Sequence, residues 1–371
     1  MSGIPFEGVL EIDPKRFGFV RSRTENLRRG PDDPFVPPAL IEQYSLRPGS
    51  MLEGDLKEIR TKKGKSPEID KIKSINGLPP ERWRSAPDFI RLDAIAPGEL
   101  IRLEGPESDL SMRVVDLFCP IGKGQRALIV SPPKAGKTML LQHLAHAISI
   151  NNPEIALMVL LIDERPEEVT EMRRSIRGEV FASSSDAHRG DHTRLAQLVL
   201  EYAKRKVEAG SDVVVLMDSL TRIGRAFNLH QRGSGRTLSG GVDARALEVP
   251  KRIFGAARNI EHGGSLTILA TALIETNSRM DELIFQEFKG TGNMELVLSR
   301  ELANQRIFPA INLAESGTRR EELLFGEDAL LHQSLRRSIA RLSPMDAMLA
   351  VRKMLDKYPT NDHLLAKLQL N

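Results

Sequence analysis

The feature that most constrains this chain is a short apolar strand that runs into a Gly-Lys-Thr loop and then a helix. Residues 128–130 precede the segment Ser131-Pro-Pro-Lys-Ala-Gly-Lys-Thr138, and residues 139–150 carry apolar side chains at helical spacing. A helix N-terminus offers free backbone N–H groups and the positive end of its dipole, both of which suit a phosphate. The order of strand, loop and helix therefore predicts a nucleoside-triphosphate site.

Individual residues of this loop have separate expected tasks. Lys137 would place a positive charge at the β- and γ-phosphates, and Thr138 would offer its hydroxyl to Mg²⁺. The pattern asks for glycine where this chain has Ser131, and Pro132 and Pro133 lack N–H groups, so the first half of the loop supplies fewer donors. A solvent loop that contains Gly-Lys-Thr by chance is the alternative, and the flanking strand and helix argue against it.

Two further strands end in acidic residues. Residues 213–217 form an apolar run that ends in Asp218, and residues 156–162 are followed by Asp163, Glu164 and Arg165. A carboxylate at Asp218 could hold the Mg²⁺ shell, and one at Glu164 could orient and polarise the attacking water. The alternative for each acid is to cap the next helix. We favour capping for Asp163 and chemistry for Asp218 and Glu164, because ligands collect at the carboxyl ends of buried strands.

The whole chain reads as two structural parts joined by a linker. Residues 1–77 show short strands separated by turns, which is typical of a small β-barrel or sandwich. Residues 78–120 carry several prolines and no long periodic segment, so we expect a linker and entry region. Residues 121–371 alternate apolar strands with helices and end in a helical stretch, which predicts an α/β domain whose parallel sheet is covered on both faces.

One strand in the first part has an unusual pattern. In Lys15-Arg-Phe-Gly-Phe-Val-Arg21, strand alternation would place Lys15, Phe17, Phe19 and Arg21 on one face. Two aromatic rings flanked by two cations make a poor core and a good platform for stacked bases. The sequence favours single-stranded RNA or DNA as the ligand, and the alternative is that both phenylalanines are core residues whose neighbouring cations reach past them to solvent.

Composition excludes several other classes of protein. Of 371 residues, 40% are hydrophobic and 28% are charged, which fits a globular protein and argues against disorder. The single cysteine, Cys119, excludes an intrachain disulfide framework and indicates a reducing compartment. The longest apolar run, residues 155–162, is too short to cross a bilayer, and no signal peptide is visible. We therefore expect a cytoplasmic protein without a membrane partner.

Four strings in order resemble one family. Ser131-Pro-Pro-Lys-Ala-Gly-Lys-Thr138, Leu161-Ile-Asp-Glu-Arg-Pro-Glu-Glu-Val-Thr170, Phe288-Lys-Gly-Thr-Gly-Asn293 and Ser316-Gly-Thr-Arg319 are similar to those of bacterial transcription termination factor Rho. The resemblance implies a RecA-like P-loop ATPase domain preceded by an OB-fold barrel of cold-shock type. It also implies a homohexameric ring that hydrolyses ATP with Mg²⁺, pulls nascent single-stranded RNA through its centre in the 5′-to-3′ direction and releases transcripts from RNA polymerase.

The resemblance also assigns residues position by position. It implies catalytic roles for Lys137, Glu164, Asp218 and Arg319, the last as an arginine finger that acts on the neighbouring subunit's nucleotide, and Mg²⁺ binding by Thr138 and Asp218. Implied nucleotide contacts are Lys134, Ala135, Gly136, Lys137, Thr138, Met139, Arg165, Arg222 and Phe308, whose ring would stack on adenine. Implied RNA contacts are Phe17, Phe19, Arg21 and Phe35 in the barrel, and Ser234, Gly235, Arg236, Thr237, Lys289, Gly290, Thr291 and Gly292 in the pore.

Purely structural roles remain as alternatives for several of these residues. Arg319 and Arg320 could form an ordinary exposed turn, Phe308 could be a packed strand residue, and the glycine-rich stretches could be flexible loops. The chain also departs from the family's pattern, since no aromatic lies near Ser66-Pro67, and we expect it to lack the basic helical subdomain that precedes the barrel in many relatives. A rotary-ATPase subunit and a passive RNA-binding regulator with a vestigial ATP site are the rival functions.

Overall fold

A computed structural model of the chain describes residues 4–61, 64–187, 189–230, 241–243 and 245–369. The first part is a closed five-stranded barrel with the strand order β1-β2-β3-β5-β4. β3 runs parallel to β5 and the other neighbours are antiparallel, as in an OB-fold. Its elements are β1 (Ile4–Ile12), β2 (Gly18–Arg21), β3 (Phe35–Val36), α1 (Pro38–Gln43), β4 (Met51–Thr61) and β5 (Gly64–Ile75).

A short connecting region follows the barrel. It contains α2 (Pro80–Arg84), a 3-10 turn (Phe89–Arg91), β6 (Ala94–Ile95) and α3 (Leu110–Phe118). The interpretation of residues 78–120 as a linker and entry region stays a prediction, and the structure adds that α3 belongs to the second part, because Val114, Val115 and Phe118 are fully buried in its core. This nine-residue helix, capped by the side chain of Asp109, is too short for its periodicity to stand out behind a proline-rich stretch.

The second part is built on one sheet with helices on both faces. Its strand order is β14-β13-β7-β12-β10-β8-β9, and the six strands from β13 to β9 are parallel. β11 pairs with the amino end of β12 and with β6. The remaining strands are β7 (Arg126–Ser131), β8 (Ala156–Glu164), β9 (Glu179–Ser184), β10 (Asp212–Asp218), β11 (Arg258–Ile260), β12 (Ser265–Leu273), β13 (Met294–Val297) and β14 (Gly317–Thr318). This confirms the predicted fold class.

Helices cover this sheet on either side, and each face has its own core. In β7, Ala127 and Ile129 pack into one core while Leu128 and Val130 pack into the other, because successive strand residues point to opposite faces. The helices are α4 (Lys137–Asn151), α5 (Pro166–Ser175), α6 (Arg189–Glu208), α7 (Leu220–His230), α8 (Glu248–Phe254), α9 (Arg279–Lys289), α10 (Arg300–Asn304), α11 (Glu322–Phe325), α12 (Ala329–Ile339), α13 (Pro344–Lys357) and α14 (Asn361–Gln369). Among the described residues, no helix combines the length and apolar character that a membrane span requires.

The barrel is docked on α6 and β9 by specific polar contacts. The buried Asn26 side chain accepts a hydrogen bond from the Ala182 backbone N–H at 2.7 Å and donates one to the Ala182 carbonyl. From α6, Arg194 donates to the Leu27 carbonyl at 2.9 Å. Gly49 adopts a φ of +83° and lies so close to α6 that a Cβ would come within 2.3 Å of the Glu201 backbone carbon. The barrel is therefore held against the second part of the chain by close contact between the two backbones.

Gly49→Ala tests this seating. We expect it to lower the free energy of unfolding by about 2 kcal/mol more than Gly77→Ala, because overpacking against backbone adds to the strain of a positive φ. Gly77 is the matched control, since it also has a positive φ, +77°, but nothing lies within 4 Å of its Cβ position. Urea unfolding of both variants makes the comparison, and equal losses would show that the barrel does not depend on this approach.

Candidate nucleotide and RNA sites

The phosphate loop forms the predicted turn between β7 and α4. Gly136 has a φ of +94° and is the N-cap of α4, so the helix begins at Lys137. Lys134 also has a positive φ, +65°, and its side chain is exposed, whereas Ala135 is buried. Thr138 is half-buried in the first turn of α4. Free backbone N–H groups of this first turn lie at the carboxyl edge of the sheet, as a phosphate site requires.

Lys137 contacts both predicted acids. Its Nζ lies 2.6 Å from both carboxylate oxygens of Asp218 and 3.4 Å from Glu164 Oε1. Asp218 ends β10 and Glu164 ends β8, and both side chains are buried. β12 separates β7 from β10, and its Thr271 donates a hydrogen bond to Asp218 Oδ1 at 2.7 Å. The loop and the two acidic strand ends thus form one cluster.

Burial and charge set the protonation of this cluster. Burial, together with the neighbouring Asp218 carboxylate, raises the pKa of Glu164 to about 7, although Lys137 and Arg222 oppose the shift. Burial alone would lower the pKa of Lys137, but Asp218 and Glu164 outweigh it and raise the pKa, so the lysine stays charged. A carboxyl group that titrates near neutrality can accept a proton from water, which fits a general base.

Arg222 and Asp163 lie at the edge of the cluster. Arg222, in α7, donates to the Asp163 carbonyl at 2.5 Å, and its Nε lies 3.0 Å from Glu164 Oε1. The interpretation of Asp163 as a helix cap is wrong, because α5 has Arg165 as its N-cap and Asp163 has a left-handed φ of +58° that turns it toward Arg222. Arg165 is exposed just beyond Glu164.

A cavity beside the loop has the character of a base pocket. Its volume is about 450 Å³, and Gly136, Met139, His143, Phe308 and Arg352 are among its lining residues. Two apolar side chains are unusually exposed there, with Met139 at 54% and Phe308 at 44% exposure. Exposed apolar walls beside a phosphate site suit the two faces of a purine ring. The alternative that Phe308 is a packed strand residue does not fit this exposure.

Arg319 lies at the opposite edge of the sheet. It follows Thr318 of β14, which pairs with Met294 at the amino end of β13, and Met294 in turn pairs with Ala127 of β7. Ser131, where the phosphate loop begins, is about 13 Å further along β7 at about 3.3 Å per residue. The Arg319 side chain is exposed, so it is accessible to another molecule.

The second predicted RNA loop is at the same amino edge. Lys289 ends α9, its side chain is exposed and its Nζ lies 5.7 Å from the Phe285 ring centre. Gly290 is exposed and Gly292 is buried, while the Thr291 carbonyl accepts a hydrogen bond from Arg126. The other predicted pore residues, Ser234, Gly235, Arg236 and Thr237, lie outside the described residues.

Three phenylalanines form an aromatic cluster on the outside of the barrel. Phe17, Phe19 and Phe35 contact one another with ring centres 5.8–5.9 Å apart. All three are half-buried and none belongs to the barrel's core, which argues against the core alternative. The aromatic cluster therefore offers ring surface to a ligand.

The predicted cations of this strand differ from expectation. Lys15 is outside β2, because the strand starts only at Gly18 and Lys15 lies in the turn before it. Arg21 is 6% exposed, and its guanidinium pairs with Glu11 at 2.6 Å and with Asp33. The same guanidinium lies 5.0 Å from the Phe19 ring centre, so Arg21 supports the aromatic cluster rather than offering a free cation.

Sequence reasoning missed Thr271 and Arg126. Thr271 is a buried polar residue in the mainly apolar strand Ser265–Leu273, and a buried hydroxyl of this kind is a signal for a hydrogen bond to a neighbouring strand. Arg126 ties the loop after α9 to β7 through the carbonyls of Thr291 and Ala257, and no local pattern identifies that role.

Two family models match the chain. One is the ATP synthase alpha/beta family nucleotide-binding domain, over residues 111–318, and the other is the Rho termination factor RNA-binding domain, over residues 6–81. The second match covers the barrel with its aromatic cluster, and the first covers the phosphate loop and Arg319's strand. Site and matches together define a P-loop ATPase that carries an RNA-binding domain.

Relatives narrow this class to one family. Transcription termination factor Rho of Pseudomonas aeruginosa is 53% identical over 363 residues, covering 96% of this chain and 86% of that protein. The Rho of Streptomyces lividans is 52% identical over 357 residues, which are 95% of this chain and 50% of that protein. The chain belongs to the family of transcription termination factor Rho.

Solved structures agree on the fold alone. An ATPase from the type III secretion system of pathogenic bacteria superposes with a TM-score of 0.62 at 20% identity, over 76% of this chain and 88% of the other. The assembled ATPase EscN from enteropathogenic E. coli superposes with a TM-score of 0.55 at 22% identity, over 73% of this chain and 61% of the other. The RecA-like ATPase fold is thus shared beyond the family.

Glu164→Gln tests the electrostatics of the nucleotide-free cluster. Because the pKa of Glu164 rises from 4.5 to about 7 on folding, the folded protein binds more protons than the unfolded chain between these values. The contribution of Glu164 to the free energy of unfolding therefore falls as the pH rises from 4.5 to about 7, by on the order of 3 kcal/mol. We expect Glu164→Gln to remove this loss, so that urea unfolding shows a larger gain over wild type at pH 8 than at pH 5.

Glu167→Gln is the control for this measurement, since Glu167 is exposed in the first turn of α5, three residues away. It should change stability equally at both pH values. If Glu164→Gln also shifts stability equally at pH 5 and pH 8, the carboxyl group does not titrate in the folded cluster as described.

Proposed function

We propose that this protein is a homohexameric, RNA-dependent ATPase that translocates 5′-to-3′ on nascent single-stranded RNA and terminates transcription by releasing transcripts from the elongation complex. One observation carries the proposal: the catalytic cluster and Arg319 occupy opposite edges of the same sheet. A site completed only by a second copy, in a family of RNA-binding ATPases, supports a ring motor that responds to RNA.

The chain supplies the groups for ATP hydrolysis at the carboxyl edge. Lys137 would move from Asp218 to the β- and γ-phosphates, and Glu164 would accept a proton from the attacking water. Thr138 and Asp218 provide hydroxyl and carboxylate oxygens, the donor types that Mg²⁺ prefers, so these two residues would hold the ion. Mg²⁺ would neutralise charge on the terminal phosphates when bound.

Arg319 would complete the site from the neighbouring subunit. A guanidinium stabilises the charge that develops on the γ-phosphoryl group only when the interface closes, which couples hydrolysis to subunit movement. Its exposure and its distance from its own phosphate loop fit action on a neighbour's nucleotide.

The dependence of ATP hydrolysis on RNA would arise because the Lys289–Gly292 loop is connected to Arg319 by a hydrogen bond. Asn293, directly after the Lys289–Gly292 loop, accepts a hydrogen bond at its carbonyl from the Arg319 N–H at 2.9 Å. The side-chain oxygen of Asn293 also accepts one from the Arg126 N–H at 2.8 Å. A phosphate backbone held by Lys289 could thus reposition Arg319 through a single residue. A passive RNA-binding regulator would have no use for this connection.

Subunit mixing tests the role of Arg319. Lys137→Ala and Arg319→Ala should each reduce RNA-stimulated ATP turnover by about a thousandfold, with nucleotide binding retained in Arg319→Ala. Rings that contain both variants should recover turnover. In such a ring the intact Arg319 of a Lys137→Ala subunit can act at the intact phosphate loop of an adjacent Arg319→Ala subunit. Random mixing leaves at most about one quarter of the interfaces intact. Turnover is measured with poly(C) after dissociation and reassembly.

Arg320→Ala is the control, because Arg320 is the exposed arginine next in sequence and has its own acidic neighbour, Glu322, at 3.8 Å. It should keep turnover near that of the wild-type protein. Mixed rings without recovery would show that Arg319 acts within its own subunit or not at all, and turnover that is independent of RNA would contradict the motor itself.

Phe19→Ala tests the aromatic cluster. We expect a loss of about 1–3 kcal/mol in RNA binding, because a stacked base loses its ring surface. Phe6→Ala is the control, since Phe6 packs against the barrel core and should cost stability rather than RNA affinity. Binding of a fluorescent oligo(C) is measured alongside thermal unfolding. Unchanged affinity in Phe19→Ala would remove the cluster from the RNA site.

A further inference from the structure

The base pocket contains a histidine that the proposed ATPase activity does not use. His143 lies one helical turn after Met139 on α4, and both line the cavity beside Phe308. Its Nδ1 lies 3.1 Å from Asp109 Oδ1, at the start of α3. The His143 side chain is 31% exposed, so the ring is accessible from the cavity.

Asp109 fixes which ring nitrogen carries the hydrogen. Its carboxylate accepts hydrogen bonds from the Ser111 N–H at 2.8 Å and from the Ser111 hydroxyl, and these bonds with His143 lower the pKa of Asp109 although burial opposes them. An ionised carboxylate can only accept, so the hydrogen faces it from Nδ1. In a neutral imidazole the other nitrogen, Nε2, is then an acceptor.

We propose that Nε2 of His143 reads the exocyclic group of the nucleotide base and selects 6-amino purines over 6-oxo purines. The adenine 6-amino group donates a hydrogen bond, which an acceptor at Nε2 can receive. The 6-oxo group of guanine or hypoxanthine is itself an acceptor and leaves both atoms without a partner. The inference rests on the proposed ATPase function and on a base lying between Met139 and Phe308.

The orientation of α4 supports this assignment. In the proposed site the phosphates would lie at the N-terminus of the helix by Lys137, and His143 is about 9 Å further along it at 1.5 Å per residue. That separation is comparable with the length of a nucleotide from its inner phosphates to the far edge of its base. Asp109 is a positioning residue in this scheme, because it acts on the base only through His143.

The experiment compares ATP with ITP, which differ at the 6-position by the replacement of an amino group by an oxo group. Steady-state kcat/KM is measured at pH 8 with saturating poly(C). Wild-type protein should prefer ATP by about tenfold, and His143→Phe, which keeps a ring but has no acceptor, should bring the ratio close to one. His143→Gln, whose amide oxygen can take the place of Nε2, should restore much of the preference.

His146→Phe is the matched control. His146 is on the same helix, has its own acidic neighbour, with Nε2 3.9 Å from Glu107, and does not line the cavity. It should leave the ATP-to-ITP ratio unchanged. A wild-type ratio near one, or an equal ratio in wild type and His143→Phe, would overturn base reading by His143 while RNA-stimulated turnover persists. If the wild-type protein showed no RNA-stimulated turnover with either ATP or ITP, the proposed function itself would be rejected.

Discussion

The contact between the Lys137 ammonium and the carboxylates of Asp218 and Glu164 is the constraint on which the active site depends. Two buried acids at one sheet edge would repel each other, and the lysine neutralises part of that charge. Burial still leaves Glu164 with a pKa of about 7. A phosphate that attracts Lys137 would therefore change the charge balance of the whole cluster, which ties the protonation of Glu164 to nucleotide binding.

A second network of charges joins the RNA-binding barrel to the ATPase domain. Glu11 pairs with Arg21 beneath the aromatic cluster and, at 3.2 Å, with Arg194 of α6. Burial would raise the pKa of Glu11, but Arg29, Arg21 and Arg194 together lower it, so the carboxylate is ionised. Two ion pairs, Arg21–Glu11 and Glu11–Arg194, thus connect the aromatic cluster with a helix that packs beside β8, the strand that ends in Glu164.

Sequence patterns correctly predicted the features that follow local rules, such as apolar strands and the phosphate loop. They did not predict features that depend on contacts between residues distant in sequence. The apolar runs at residues 156–162 and 213–217 predicted β8 and β10, and the order of strand, loop and helix predicted the setting of Lys137. Strand alternation failed at Lys15 because a turn with Arg16 at φ +67° delays β2 until Gly18. Arg21 is not the free cation that we expected, because its guanidinium pairs with Glu11 of β1 and with Asp33 in the loop before β3. Both partners are distant in sequence, so strand alternation does not reveal them.

The geometry of a single strand supports the proposal that this chain acts as an assembly. β7 carries the phosphate loop at its carboxyl end. Its amino end pairs with β13, the strand that follows the Lys289 loop, and β13 in turn pairs with β14, the strand before Arg319. The sheet keeps those ends apart, so under the proposed function Arg319 and the Lys289 loop would serve the nucleotide of a neighbour rather than their own. Subunits arranged edge to edge would bring the amino edge of one to the carboxyl edge of the next. In the proposed ring, RNA held by one subunit would then be sensed at the nucleotide of its neighbour, and the separation within the fold would become the means of communication between subunits.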